Sequence, residues 1–365
     1  MALAREARAR GETDLYTACR RQVALLQAKQ VITTIGRAID DICYRGYRRT
    51  EIRQPVFIAA PARSGTTLLF NLMARDPVFS CMKTYQSQLP AISIEHAVRA
   101  LARLDQPLHG GLRHLVDRLD AHTAGFEHLH RTRLTEPEED SGLFLSALVE
   151  PNINMIFPFG HAMSHRWYLD DFAEPERTRI MDWYISSLKR HLYDASGRQL
   201  LVKNAHTAGR LASIRQTLPD VRVINIVRHP YDAVPSSVSL VANGYRTLTG
   251  REPDVSKPEW RAIADATIEY YLRLLRFERT FPEGQWATVR FDDLVRQPLR
   301  TVEEVYERLR MTMSPEAKVA ISQEAHSSDR HRSRGHSYSP EQFGLTRETI
   351  AAPLQEIFDL YGFDP

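Results

Sequence analysis

Apolar residues in this chain follow two different spacings. Short, nearly continuous apolar runs occur at Val56–Ala60, Leu200–Val202, Val221–Val227 and Trp286–Phe291. Their length and β-branched content predict buried strands. Elsewhere the spacing changes to three and four. From about Thr13 to Arg45 it collects Leu25, Val31, Ile32, Ile35, Ile39 and Ile42, and predicts helices packed on the core. The same spacing predicts helices over Ala91–Leu104, Arg177–Tyr193 and Leu299–Leu309. A strand ending at Ala60 is followed by a glycine-containing loop and a helix from Thr66 to Ala74. The interval from there to Leu200 is too long for a simple crossover, and Pro137, Pro151, Pro158 and Pro175 punctuate it. It reads as an inserted helical cap on an α/β fold, with a mostly parallel central sheet flanked by helices. No internal repeat or low-complexity linker interrupts the chain.

The ends of the strands carry the chemistry. After the first comes Arg63-Ser64-Gly65-Thr66-Thr67. A helix N-terminus with free backbone N–H groups, neighbouring hydroxyls and a fixed cation makes a socket for a doubly anionic group. The nucleoside-triphosphate version of such a loop reads G-x-x-x-x-G-K-[ST]. Here Ala60 takes the first glycine position, Thr66 stands where the lysine belongs, and the basic residue is Arg63. That displacement argues against an ordinary ATPase or kinase. The strand Val221–Val227 ends at Arg228-His229-Pro230-Tyr231-Asp232, and Ser236 follows in an early helical turn. A guanidinium at a strand end and such a serine can converge on one phosphate. The strand at Leu200 runs into Lys203-Asn204-Ala205-His206. A histidine there offers a base near neutrality, and the lysine offers positive charge.

Together these residues resemble the sulfotransferases that use PAPS (3′-phosphoadenosine 5′-phosphosulfate), in their bacterial branch. Arg63-Ser64-Gly65-Thr66-Thr67 is similar to the family's 5′-phosphosulfate loop, and Asp76-Pro77 to the bacterial members. Arg228 and Ser236 match the R-[DNH]-P-x-[DE]…S segment that holds the 3′-phosphate. Lys203 and His206 resemble the K-x-H or K-x-x-H segment. The resemblance implies His206 as the base, with Lys203 and Arg63 neutralising the bridging oxygen of the donor. Many bacterial and tyrosylprotein members instead use a glutamate shortly after the first helix. Gln86 stands in that place, and an amide is not a general base at neutral pH. This shifts weight to His206 or to the acidic cluster Glu136-Pro137-Glu138-Glu139-Asp140. Glu139 is the second catalytic candidate, while Glu138 reads as a carboxylate at a helix N-terminus. Phe291, in Phe291-Asp292-Asp293-Leu294, is similar to the aromatic of the family's Y-E-D-L segment beside the adenine. Arg334-Gly335 looks like the late R-x-G contact to the 3′-phosphate, and Tyr338–Leu345 is similar to bacterial members.

The resulting expectation is a single sulfotransferase domain without a metal. It has N-terminal helices over 1–54, a nucleotide-binding core from 55–76 and 199–345, the cap over 77–198 and a C-terminal helix over 346–365. Strand–loop–helix units place ligands at the carboxyl ends of their strands, where Arg63, His206 and Arg228 fall. The acceptor would be a hydroxyl or amine of a small molecule, sugar or lipid. Two other readings stay open: a small-molecule kinase, and a non-catalytic nucleotide-binding relative.

Composition narrows the setting. With 365 residues, 43% hydrophobic and 25% charged, the chain can bury a substantial core. A net charge of +3 does not suggest nucleic acid as a partner. Three cysteines, Cys19, Cys43 and Cys81, lack metal-ligand spacing and an even count, and the charged N-terminus lacks a secretory apolar core. No run has the length of a membrane span. These features point to a cytoplasmic protein. Oligomeric state is not readable. His109, His114, His122, His128 and His130 match no compact metal motif and read as solvated or pocket-lining. Phe144, Phe157, Phe159, Trp167 and Tyr168 read mainly as core, with a pocket lining as the other possibility.

Overall fold

The computed structural model describes residues 13–105, 133–145, 147–151, 160–195, 197–255, 257–328 and 340–364, with isolated positions 5, 8, 9, 11 and 153 besides. Among the described residues a five-stranded sheet forms the centre, in the order β2–β3–β1–β4–β5. The strands are β1 Val56–Ala59, β2 Phe79–Cys81, β3 Gln199–Asn204, β4 Arg222–Val227 and β5 Trp286–Arg290. All four pairings are parallel. The central β1 is buried at every position, as a strand covered on both faces must be, whereas edge strand β5 alternates. Four of the five strands lie in the apolar runs. The three-residue β2 is too short to give a period, and it lies within the stretch read as cap.

Successive side chains of β1 point to opposite faces. Phe57 and Ala59 join Val202 and Val223 in a core with Tyr184 and Leu188. Val56 and Ile58 join Leu201 and Ile224 in a second core with Leu69, Phe70, Val302 and Val305. The helices in chain order are α1 Thr13–Cys43, α2 Thr66–Met73, α3 Thr84–Gln88, α4 Ile92–Asp105, α5 Ser141–Leu145, α6 Glu174–Leu192 and α7 Leu211–Thr217. They continue as α8 Pro230–Thr249, α9 Pro258–Glu278, α10 Phe291–Arg296, α11 Pro298–Arg308, α12 Pro315–Ser328 and α13 Arg347–Tyr361. A third core lies among α8, α9 and α13 and includes Val234, Trp260 and Ile350. Phe144 and Trp167 are core residues, as expected, and Tyr168 packs half-buried against them. Phe157, Phe159 and the five histidines between His109 and His130 lie outside the described residues.

One packing expectation is corrected. The aliphatics between Thr13 and Arg45 do share a helix, but they face away from the core: Leu25 is 54% exposed, Ile35 58% and Ile42 71%. The inward face of α1 is small and polar, with Cys19, Thr33, Gly36 and Asp40. Asp40 accepts hydrogen bonds from the backbone of Ile92 and Ser93 at the start of α4, and it pairs with buried Arg190 at 3.0 Å. A Cβ on Gly36 would come within 2.9 Å of Ala91, so glycine permits the close crossing of α1 and α4. Helical spacing shows that apolar residues share a face, not which way the face turns. Here buried polar pairing and close backbone approach decide the orientation.

Candidate active site

Polar residues replace apolar ones at the carboxyl ends of the strands. In β3 the register sets Lys203 beside Ile58 and Asn204 beside Ala59, and in β4 Asn225 lies beside Ala59. The loop from β1 to α2 emerges between them. Arg63 and Gly65 both hold left-handed backbone, with φ of +68° and +86°. Left-handed residues set among right-handed ones turn successive N–H groups toward one concavity, which suits an anion. At Gly65 the glycine is required twice over, since a Cβ would also meet the Phe291 ring at 2.8 Å.

Arg228 anchors this loop from the end of β4. Its Nη1 donates to the Arg63 carbonyl at 2.7 Å, and its guanidinium lies 4.6 Å from the centre of the Phe291 ring. Arg63 Nε donates to Ser236 Oγ at 3.3 Å. Tyr271 of α9 donates to the Arg228 carbonyl at 2.7 Å. Arg228 Nε is buried with no hydrogen-bond partner among the described residues. The structure thus gathers Arg63, Gly65, Arg228, Ser236 and Phe291 into one constellation from three parts of the chain. Ser64 and Thr66 are buried within the same loop. Arg334 and Gly335 lie outside the described residues.

Lys203 joins the loop to the acidic cluster. Its buried Nζ donates to Thr67 Oγ1 at 2.8 Å, pairs with Glu138 Oε1 at 2.8 Å, and lies 3.7 Å from Glu139 Oε1. The acidic segment is fixed from behind by backbone bonds: Thr84 N–H donates to the Glu136 carbonyl, and Glu138 N–H to the Met82 carbonyl. Glu139 accepts from Ser141 Oγ at 3.0 Å. Gln86 spends its side-chain oxygen on the Lys83 N–H at 2.8 Å, closing the first turn of α3. Asp76 is buried and accepts from Tyr306 at 2.9 Å, tying the end of α2 to α11.

His206 sits deeper. Its ring lies 3.4 Å from Glu150 Oε1 and 5.6 Å from the centre of Tyr270. Burial pushes its imidazole down to about 3; the Glu139 charge pulls the other way and Arg210 adds to the depression. Glu150 pairs with Arg210 at 2.9 Å, and burial raises its carboxyl to about 7 against that pairing. Arg210 also lies 3.9 Å from Asp140, which accepts from Tyr184 and Asn204. Burial likewise raises the Asp140 carboxyl. Arg210 and Glu150 escaped the sequence reading. The available signal was an arginine four residues past His206, in the otherwise uncharged Thr207-Ala208-Gly209-Arg210-Leu211.

Among the described residues no three metal-ligating side chains cluster. Cations and hydroxyls from separate strand ends gather at one end of the sheet, with carboxylates alongside.

Comparison with known proteins identifies relatives of this chain. The family model for the sulfotransferase family matches residues 55–315. The omega-hydroxy-beta-dihydromenaquinone-9 sulfotransferase Stf3 of Mycobacterium bovis is 21% identical over 328 residues, covering 85% of this chain and 75% of the relative. Its Mycobacterium tuberculosis counterpart matches to the same extent. Among solved structures, sulfotransferase STF9 from Mycobacterium avium aligns with a TM-score of 0.72 at 17% identity, over 98% of this chain and 86% of that one. Sulfotransferase STF1 from Mycobacterium tuberculosis H37Rv aligns at 0.66 and 20%, over 97% and 92%. The structural likeness establishes the P-loop-type fold, and the matched model displaces the kinase reading. This chain belongs to the sulfotransferase family.

Proposed function

We propose that the sulfuryl donor is PAPS and that the acceptor is a hydroxyl of a small apolar molecule. When bound, PAPS supplies an activated sulfuryl group whose departure leaves adenosine 3′,5′-bisphosphate. The observation carrying this reading is the convergence of Arg63, Arg228 and Ser236 on one loop, with Lys203 reaching the same loop through Thr67. The loop amides and Arg63 bind the 5′ end. Arg228 and Ser236 bind the 3′-phosphate, and Phe291 lies against the base. Lys203 holds positive charge where the bridging oxygen becomes anionic. Sulfuryl transfer, like phosphoryl transfer, asks the protein for alignment and charge rather than for covalent chemistry.

The proton of the acceptor hydroxyl goes to Glu139. Its carboxylate lies 3.7 Å from Lys203 and is oriented by Ser141. A second reading keeps His206 as base, supported by burial that holds its ring neutral at physiological pH. Such a depressed imidazole is a weak proton acceptor, and its described contacts are to Glu150 and Tyr270 rather than to the loop. An apolar acceptor is favoured because the related Stf3 proteins act on a dihydromenaquinone.

Incubation with PAPS and a panel of apolar alcohols, read as a mass gain of one sulfuryl group, tests the activity. Glu139→Gln is expected to lower kcat/KM by about 10²–10⁴, and His206→Asn by much less. The reverse order would transfer the role to His206. No transfer from PAPS to any hydroxyl would overturn the donor assignment.

A further inference from the structure

From the outward face of α1, we infer that this protein docks peripherally on an anionic lipid surface. Of fourteen exposed large hydrophobic side chains among the described residues, nine lie on α1 and α4: the six aliphatics of α1 already named, with Val98, Leu101 and Leu104. The two helices cross closely at Gly36. Between Arg21 and Asp41 no exposed position of α1 carries a charge, and Asp41 itself, its side chain 44% exposed, pairs with Arg48. By the helical rise this neutral stretch is about 30 Å long. Exposed Arg20 and Arg21 bound it at one end, and exposed Arg45, Arg48 and Arg49 follow its other end. Residues 1–50 contain ten Lys/Arg and five Asp/Glu, a net +5 against +3 for the whole chain.

An apolar face with basic margins matches a surface that places aliphatics at the acyl boundary and cations among anionic headgroups. Charge disfavours a second copy as the occupant. Paired antiparallel, α1 would set Arg20 and Arg21 against Arg45 and Arg49 of its twin; paired parallel, each cluster would meet itself. No helix among the described residues is long and apolar enough to cross a membrane, so the contact lies along the surface. The inner side of α1 reaches the acidic segment. Lys29 Nζ donates to Gln88 Oε1 at 2.7 Å and to the Gly142 carbonyl at 3.1 Å, next to the Ser141 that orients Glu139. Docking would therefore leave the acidic segment behind α1, one helix diameter, roughly 10 Å, from the lipid.

Sedimentation of the full chain with phosphatidylglycerol vesicles and with phosphatidylcholine vesicles tests the inference. Wild type is expected to favour the anionic vesicles at least about tenfold at low salt and to lose that preference at high salt. Ile35→Glu/Ile39→Glu should weaken binding about tenfold or more. Arg45→Glu/Arg49→Glu, at exposed positions that leave the core untouched, should remove the preference for anionic lipid. Both variants should bind adenosine 3′,5′-bisphosphate as wild type does, which separates this inference from the donor assignment. The inference is overturned if wild type ignores vesicles or if either variant sediments like wild type. It is equally overturned if Ile35→Glu/Ile39→Glu turns an oligomer into a monomer while vesicle binding is absent throughout.

Discussion

Under the proposed chemistry, Lys203→Met is expected to lower turnover by about 10²–10³, while affinity for adenosine 3′,5′-bisphosphate should change several-fold at most. The asymmetry follows from the position of the ammonium. Nζ is buried, donates to Thr67 at the start of α2, and faces Glu138 and Glu139. A cation there is most valuable when the bridging oxygen gains charge, and less so while the ground state binds. Methionine keeps the bulk and leaves Glu138 without its ammonium partner, so some stability is lost as well. Steady-state kinetics with saturating acceptor, alongside calorimetry with the bisphosphate, separate the two effects. A rise in KM for the donor with kcat preserved would make Lys203 a binding residue only.

Arg210→Met destabilises the fold by about 3–5 kcal/mol, because it strips the partner from carboxylates in a buried network. Glu150 and Asp140 are almost fully buried and both face Arg210. Thermal unfolding should show a fall in Tm, with Glu150→Gln in the same background restoring part of it. Within this network the groups respond to acid in opposite senses: the raised Glu150 and Asp140 carboxyls bind protons more readily in the folded state, whereas His206 resists them. Burial depresses His206 to about 3 from its ordinary 6.5. The unfolded state therefore binds the extra proton first as pH falls. Stability from this group is present above about 6.5 and is lost below it, by at most about 1.4 kcal/mol per pH unit. In His206→Asn that acid slope should flatten.

Much of this architecture was legible because its signals were local. Val56–Ala59 and Arg222–Val227 are apolar runs that only a doubly covered strand accommodates. The loop residues Arg63 to Thr67 follow one of them without a break, and Arg228 and Ser236 follow the other. Contacts between distant segments were not legible. Lys203 meets Glu138 and Glu139 across more than sixty residues, and nothing in either stretch announces the other. Glu150 and Arg210 meet across a similar distance. Gln86, read as standing in the glutamate position, uses its amide oxygen to close a helical turn. Helix α1 was found but turned the wrong way, because its seam is built from Asp40 and Gly36 rather than from its aliphatics.

The central claim is that one molecule bearing two separated phosphates bridges the Arg63 loop and Arg228. Calorimetric titration of wild type and Arg228→Ala with adenosine 3′,5′-bisphosphate and with adenosine 5′-phosphate tests it directly. Wild type should prefer the bisphosphate by about tenfold or more, a charge-assisted contact being worth about 1.5–3 kcal/mol, and Arg228→Ala should bind the two ligands alike. Equal affinities in wild type, or a preference that survives in Arg228→Ala, would contradict the account.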